Sequence, residues 1–254
     1  MRAEWTKLRT LTATWWLLLG VFALTLALGA AADFSTSYSA QSPVQDTTEV
    51  CLTGVYLGQA VVTALSVVVV GTEYGTGMIR TTLSAVPRRL AMLAAKAIIL
   101  LAGVLATAAA GVLGSLLAGR LILPRNGFTV AHGYAQLALT NGSTLRAVAG
   151  SIIYLGLVAL LGLGVAAAVR DTATAIGIVL GLLYLFPIVA QTVTDPTWER
   201  RLHEIAPMTA GLYIQTTIGI HNLPLTPWQG LGVLAGWTIA ALLTGGLVLR
   251  LRDA

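Results

Sequence analysis

Glu73, Arg80, Arg88 and Arg89 fall within one short polar island, GTEYGTGMIRTTLSAVPRR (Gly71–Arg89), set between two long apolar runs. Charges placed this way suit charge-assisted hydrogen bonds to a partner, which are stronger than neutral ones. They do not pair a nucleophile with a base. Elsewhere the chemistry-bearing residues are sparse. His203-Glu204 would open a zinc-binding H-E-x-x-H helix, but Pro207 stands where the second histidine belongs, so the pair reads as solvent-facing. No G-x-x-x-x-G-K-[ST] run occurs, and neither Lys7 nor Lys96 follows a glycine-rich loop, so no P-loop is expected to cradle nucleotide phosphates. No serine sits in a nucleophile elbow, and His132, His203 and His221 fall in predicted outer loops. No acidic cluster lies within an apolar run, which argues against an ion-coupled carrier with a charged relay. Asn141-Gly142-Ser143 is a formal glycosylation sequon, without consequence in most bacteria. Cys51 is the single cysteine, so no internal disulfide forms. The sequence therefore predicts no catalytic residue, no metal site and no cofactor bound by this chain.

The elements that must position the island are membrane spans. The chain is 56% hydrophobic and only 10% charged, with a mean hydropathy of +0.83; a soluble domain carries about 25% charged residues. Several apolar runs reach the roughly 20 residues that cross a bilayer as a helix, the spanning form that satisfies its own backbone in lipid. Alternating segments of the β-barrel kind are missing. The net charge of +5 comes from basic residues at the ends of apolar runs, where topology places them, so nucleic acid is not an expected partner. Abundant Ala, Gly, Leu and Val, with arginine far ahead of lysine, suggest a GC-rich bacterial genome. The first apolar run is too long for the core of a cleavable signal.

Six spans are predicted, Thr12 to Ala32, Val50 to Gly71, Ala91 to Gly119, Ala147 to Val169, Thr172 to Gln191 and Gln229 to Leu249, in one domain over residues 1–254. Before them, Met1 to Leu11 places Ala3, Trp5, Leu8 and Leu11 near one face, the pattern of a helix lying at the membrane interface. Asp33 to Glu49 and Arg120 to Arg146 read as polar loops. Arg170-Asp171 reads as a tight turn. Thr192 to Trp228 is the longest connection, punctuated by Pro196, Pro207, Pro224 and Pro227. With the N-terminus inside, ten of the fifteen Lys and Arg residues face the cytoplasm, which favours both termini there and turns the island inward. Lys96 is the one charge inside a predicted span. At mid-bilayer it would cost about 2.5–3.5 kcal/mol, so it is expected near the inner end, where it can snorkel.

Two patterns carry structural meaning. In the third span Gly103, Thr107, Gly111, Ser115 and Gly119 recur every four residues, a small-residue stripe that lets helix backbones approach closely in lipid. Gly177 and Gly181 repeat the spacing in the fifth span, and Gly156, Gly164 and Ala168 partly repeat it in the fourth. In the island, Met78 to Val86 forms a short predicted helix with Ile79, Leu83 and Val86 on one face and Pro87 at its end. Joined stiffly to two spans, such a helix could carry force from a soluble motor.

On these residues the chain resembles the permeases of ABC-2 type transporters, the membrane subunits of bacterial ABC exporters. The resemblance is carried by EWTKLRT before the first span, by the island running on to Lys96, and by APMTAG (Ala206–Gly211) before the last, and it extends over essentially the whole chain. It implies an all-α integral membrane fold with six transmembrane helices, an N-terminal interfacial helix, both termini cytoplasmic, and a cytoplasmic coupling helix between spans two and three. It implies docking of Glu73, Tyr74, Gly75, Thr76, Gly77, Met78, Ile79, Arg80, Thr81, Thr82 and Leu83 on a separate soluble P-loop ATPase, which would hold the ATP and magnesium. It also implies a second permease copy, identical or homologous, in the cytoplasmic (plasma) membrane lipid of a bacterium, and an outer segment that dips toward the membrane. The exported cargo would be amphipathic or hydrophobic: a drug, antibiotic, peptide or lipid. A non-transporting scaffold or sensor partner of an ATPase, and a membrane-embedded enzyme, are the alternative readings. A cysteine placed by Thr82→Cys in a Cys51→Ser background should react with a membrane-impermeant maleimide in inverted vesicles and stay unreacted in intact cells; labelling of intact cells would reverse the orientation.

Overall fold

The computed structural model describes residues 12–39, 44–75, 89–134 and 136–251. Among them every regular element is helical. We number the α-helices α1 (Thr12–Ser35), α2 (Thr47–Cys51), α3 (Val55–Gly75), α4 (Arg89–Ile122), α5 (Gly142–Val169), α6 (Thr172–Thr192), α7 (Pro196–Ile205), α8 (Pro207–Leu212) and α9 (Pro227–Leu251), with short 3-10 turns at Leu123–Asn126, Val130–His132, Tyr213–Gln215 and Ile220–Asn222. Six stretches are long and apolar enough to cross a membrane: Trp15–Ser35, Thr47–Gly71, Ala91–Asn126, Gly142–Val169, Thr172–Thr192 and Pro227–Leu251. The chain is a multi-pass transmembrane protein with its six spans where the apolar runs predict them. The N-terminal stretch expected to lie at the interface, and most of the island, fall outside the described residues.

The central helix is α5. It packs against α9, α3, α4 and α6, while α1 packs on α4 and α3. Lipid tails are as apolar as leucine, so these contacts rest on close packing rather than on hydrophobic exclusion. Glycines set the closest ones. A Cβ on Gly164 would stand 2.6 Å from the Ala241 backbone carbon, and one on Gly245 would stand 2.5 Å from the Gly164 carbonyl oxygen. Here α5 and α9 touch backbone to backbone. Gly54, in the break between α2 and α3, abuts the Thr25 carbonyl of α1 in the same way. By contrast Gly177 and Gly181, at the same spacing on α6, have nothing within 4 Å of their Cβ positions.

The long connections gather at one end of the bundle. Asp46 joins the connection after α1 to the one before α9: its carboxylate accepts from the Thr217 backbone N–H, from Thr217 Oγ1 at 2.7 Å and from the Ile218 N–H at 2.9 Å. The same carboxylate caps α2 by accepting from the Thr48 and Glu49 N–H groups. Asn126 Nδ2 donates to the Asp33 and Thr36 carbonyls, and the Tyr38 N–H donates to the Asn126 carbonyl. Tyr38 stacks on His132 and meets Phe128 and Tyr134 edge to face. The tight fit of Tyr38 on Gly127, whose φ is +93°, leaves no room for a side chain there.

The segment 193–226 is built, not looped. Asp195 caps α7 by accepting from the Thr197 N–H at 2.8 Å. Pro196, Pro207 and Pro227 each occupy the first position of a helix, where a missing N–H costs nothing. Three of the four prolines that punctuate this stretch in the sequence therefore start helices; Pro224 lies in the bend before α9. α8 is buried through Pro207, Met208, Ala210, Gly211 and Leu212, and Trp237 Nε1 donates to the last carbonyl of α7.

At the opposite end α5 and α6 are joined only by Arg170 and Asp171. Arg170 takes φ +63° and donates from Nη2 to the Val248 carbonyl of α9 at 3.2 Å. Asp171 caps α6 through the Thr174 N–H, and hydrogen bonding from the Thr174 side chain, then from its N–H, holds the Asp171 carboxyl below its ordinary value; the cap is intact at neutral pH and lost as pH falls through that lowered value. Lys96 departs from the snorkelling expectation. α4 starts at Arg89, and Lys96 lies on the same face as Leu93, Leu100 and Val104, which turns it into the bundle with only 3% exposure.

Gly164→Ala should force α5 and α9 apart and cost about 1–3 kcal/mol, the scale of overpacking in a fitted core. Gly177→Ala should leave the melting temperature in detergent unchanged or raised; equal loss in both variants would contradict the packing described.

Candidate functional site

A polar seam runs through the interior of the bundle. On α3, Gln59, Thr63 and Ser66 recur at helical spacing and are all fully buried. They face α5 and α8. The Tyr154 O–H of α5 donates to Gln59 Oε1, and Gln59 Nε2 donates to Met208 Sδ of α8 at 3.1 Å. Gly211 lets α8 lie against the Tyr154 ring, since a Cβ there would come within 2.7 Å of Cε2. Farther toward the clasped end, Gln215 Nε2 donates to Ser151 Oγ at 3.0 Å. Arg146 donates to the Thr216 carbonyl, and the Thr216 hydroxyl donates to Glu49. On the neighbouring helix the Tyr184 O–H donates to the Tyr56 carbonyl.

Polar side chains inside a membrane bundle either glue helices together or mark a path. This seam does the first: α3, α5 and the inserted α8 share the Tyr154–Gln59–Met208 chain of bonds, and Tyr184 separately ties α6 to α3. Two of its groups keep unused capacity. Thr63 Oγ1 and Gln215 Oε1 are buried without a hydrogen-bond partner. Its inner part, from Gln59 to Ser151, offers neutral donors and acceptors only; the ionisable Arg146 and Glu49 lie toward the clasped end. Among the described residues no group of three or more His, Cys, Asp or Glu side chains is placed to hold a metal ion.

A pocket of about 430 Å³ opens at the clasped end. Thr47, Arg120, Leu123, Phe128, Tyr134 and Leu137 are among its walls. It combines an exposed guanidinium with an aromatic side formed by Phe128 and Tyr134, whose rings meet edge to face at 5.0 Å.

The residues singled out in the sequence fall in two places. Glu73, Tyr74 and Gly75 form the last turn of α3; Thr76, Gly77, Met78, Ile79, Arg80, Thr81, Thr82 and Leu83 lie outside the described residues. The small-residue stripe of α4 faces α1 and α2. The Cβ position of Gly103 contacts Leu18, that of Gly111 contacts Thr25, and that of Gly119 contacts Cys51 and Asp33. Ser115 Oγ donates to the Thr25 carbonyl at 2.9 Å. Thr107 instead bonds within its own helix, to the Gly103 carbonyl. Gln59, Tyr154 and Asp46 went unremarked in the sequence. A glutamine inside an otherwise Val- and Leu-rich span was the available signal for the first.

A comparison with protein-family models finds none that matches the chain, and a search among curated proteins likewise finds no match.

Tyr154→Phe leaves the Gln59 carbonyl oxygen without its donor and should cost about 1–3 kcal/mol. Adding Gln59→Leu should recover most of that loss, because removing both partners is nearly neutral. Thermal unfolding in detergent reads the coupling, and strictly additive losses would mean that the pair is not a unit.

Proposed function

We propose that this chain is the membrane-spanning permease subunit of an ATP-driven exporter of the ABC-2 type, working with a separate soluble P-loop ATPase and a second permease subunit. The observation that carries the reading is the arrangement at the bundle end opposite the clasp. α3 and α4 both run out to the polar island between them. Beside them, Gly71 of α3 lies directly against Thr172 at the start of α6, and Arg170 ties the α5–α6 turn to the end of α9. A displacement imposed on the island would thus reach three further helix ends, those of α6, α5 and α9, through two contacts. In a bundle whose core is close-packed, such a push switches between packed arrangements rather than deforming one continuously.

The cycle follows from linkage. An ATPase that grips the island more tightly in one arrangement shifts the population toward it, by no more than the difference in its two affinities. The buried seam of Gln59, Tyr154 and Ser151 supplies uncharged hydrogen-bonding groups within an apolar interior, which suits an amphipathic or hydrophobic cargo better than an ion. The ATP and magnesium belong to the partner. Within the island, we assign the charge-assisted bonds to it to Glu73 and Arg80. The membrane is then the cytoplasmic membrane of a bacterium, with both chain ends and the island inside.

Co-purification in mild detergent should bring down a soluble P-loop ATPase. Arg80→Glu should leave expression and membrane insertion unchanged while abolishing cargo-stimulated ATP hydrolysis in proteoliposomes. An ATPase that binds but shows no cargo stimulation in the unaltered complex would instead favour a scaffold or sensor, and unaltered coupling in Arg80→Glu would remove the island from the mechanism.

A further inference from the structure

Where the end of α1 meets α2 and α4, a carboxyl group is sealed in without a counter-charge, beside the Cys51 thiol. Asp33 is fully buried, and neither Oδ1 nor Oδ2 has a hydrogen-bond partner. It faces Gly119 and Cys51: Oδ2 lies 3.0 Å from the position of a Cβ on Gly119, and Cys51 Sγ crowds the same point. The Cys51 thiol is free and buried, a weak donor and no counter-charge. The backbone around Asp33 is held firmly, because Asn126 Nδ2 donates to the Asp33 carbonyl at 2.8 Å.

No described cation on the packed elements reaches this carboxyl. On α2, Glu49 is turned to Thr216. On α4, Arg120 is exposed, and Lys96 lies about 35 Å along the helix from Gly119 at 1.5 Å per residue. In the turn after α4, Arg125 is exposed. On α3 the titratable neighbour toward this end is Tyr56, and the Asp46 carboxylate before α2 is occupied by Thr217 and Ile218. An ionised carboxylate buried without a counter-charge carries a penalty of several kcal/mol, whereas a neutral carboxyl has far less to lose. The pocket at the clasped end is nonetheless close. Thr47 and Leu123, which line the 430 Å³ pocket, stand one helical turn from Cys51 and from Gly119 respectively, and residues four apart share a helix face.

We propose that Asp33 is a proton-binding site of the membrane domain, loaded from this pocket, which holds its proton while α1, α2 and α4 are packed as described and releases it when their seam opens to water. The site is independent of the permease reading, since it rests on the burial and the missing partners alone.

An apolar carbodiimide tests it on the full chain in proteoliposomes. The carboxyl O–H adds across a C=N bond: the proton goes to nitrogen, the carboxylate oxygen bonds the central carbon, and the adduct rearranges to a stable N-acylurea. Peptide mass spectrometry should find dicyclohexylcarbodiimide on Asp33, with labelling that falls about tenfold per pH unit once the carboxyl titrates. Asp33→Glu should retain the adduct and Asp33→Asn should lose it; if Asp33→Asn does not fold, site mapping and the pH profile of the unaltered protein decide alone. Thr47→Trp, which fills the pocket mouth, should slow labelling by a water-soluble carbodiimide and spare the apolar one. Adducts on other acids with none on Asp33, or labelling indifferent to pH, would overturn the site. Unchanged labelling by the water-soluble reagent in Thr47→Trp would overturn the route.

Discussion

Contact between helix backbones at glycine is the constraint on which this bundle depends. Helices in lipid gain little by hiding apolar side chains from one another, so they must gain by fit. The fit is closest where α5 meets α9 at Gly164 and Gly245, and where the α2–α3 break meets α1 at Gly54. Each of these places a carbonyl or a backbone carbon where any larger residue would have its first side-chain atom. α5 can then be central, with four spans around it, although it is itself an ordinary apolar helix. The inserted α8 obeys the same rule: Gly230 of α9 abuts the Ala210 carbonyl, and Gly150 of α5 receives the Ile214 side chain.

Close packing also decides where polar atoms go. Side chains excluded from lipid collect along the α3–α5 face, and there they satisfy one another: Tyr154 with Gln59, Gln59 with Met208, Gln215 with Ser151. Asp33 differs from them in being a carboxyl. It sits at a comparable depth of burial with neither oxygen engaged.

Length and hydropathy are local properties, and they made the six spans legible to within a few residues. Burial of single polar residues is not local. Nothing around Gln59 or Asp33 in the chain says which neighbouring helix will cover it. The spacing of small residues is an intermediate case. On α4 it coincides with contacts to α1 and α2, whereas on α6 Gly177 and Gly181 carry the same spacing into open space. Spacing announces that a close approach is allowed without naming a partner. The segment 193–226 is less legible for a different reason. Its prolines look like loop punctuation, yet Asp195-Pro196 is a helix start by its own chemistry, an oxygen to cap the turn and a ring already set to the helical φ.

The Asp46 carboxylate holds two separate stretches of chain, capping α2 while gripping the backbone at Thr217 and Ile218. Such a node has no half-open state worth occupying. Parting the two connections strips most of its donors in a single event, so any widening of this rim would proceed as a snap, with the barrier concentrated at one side chain instead of spread over the surface.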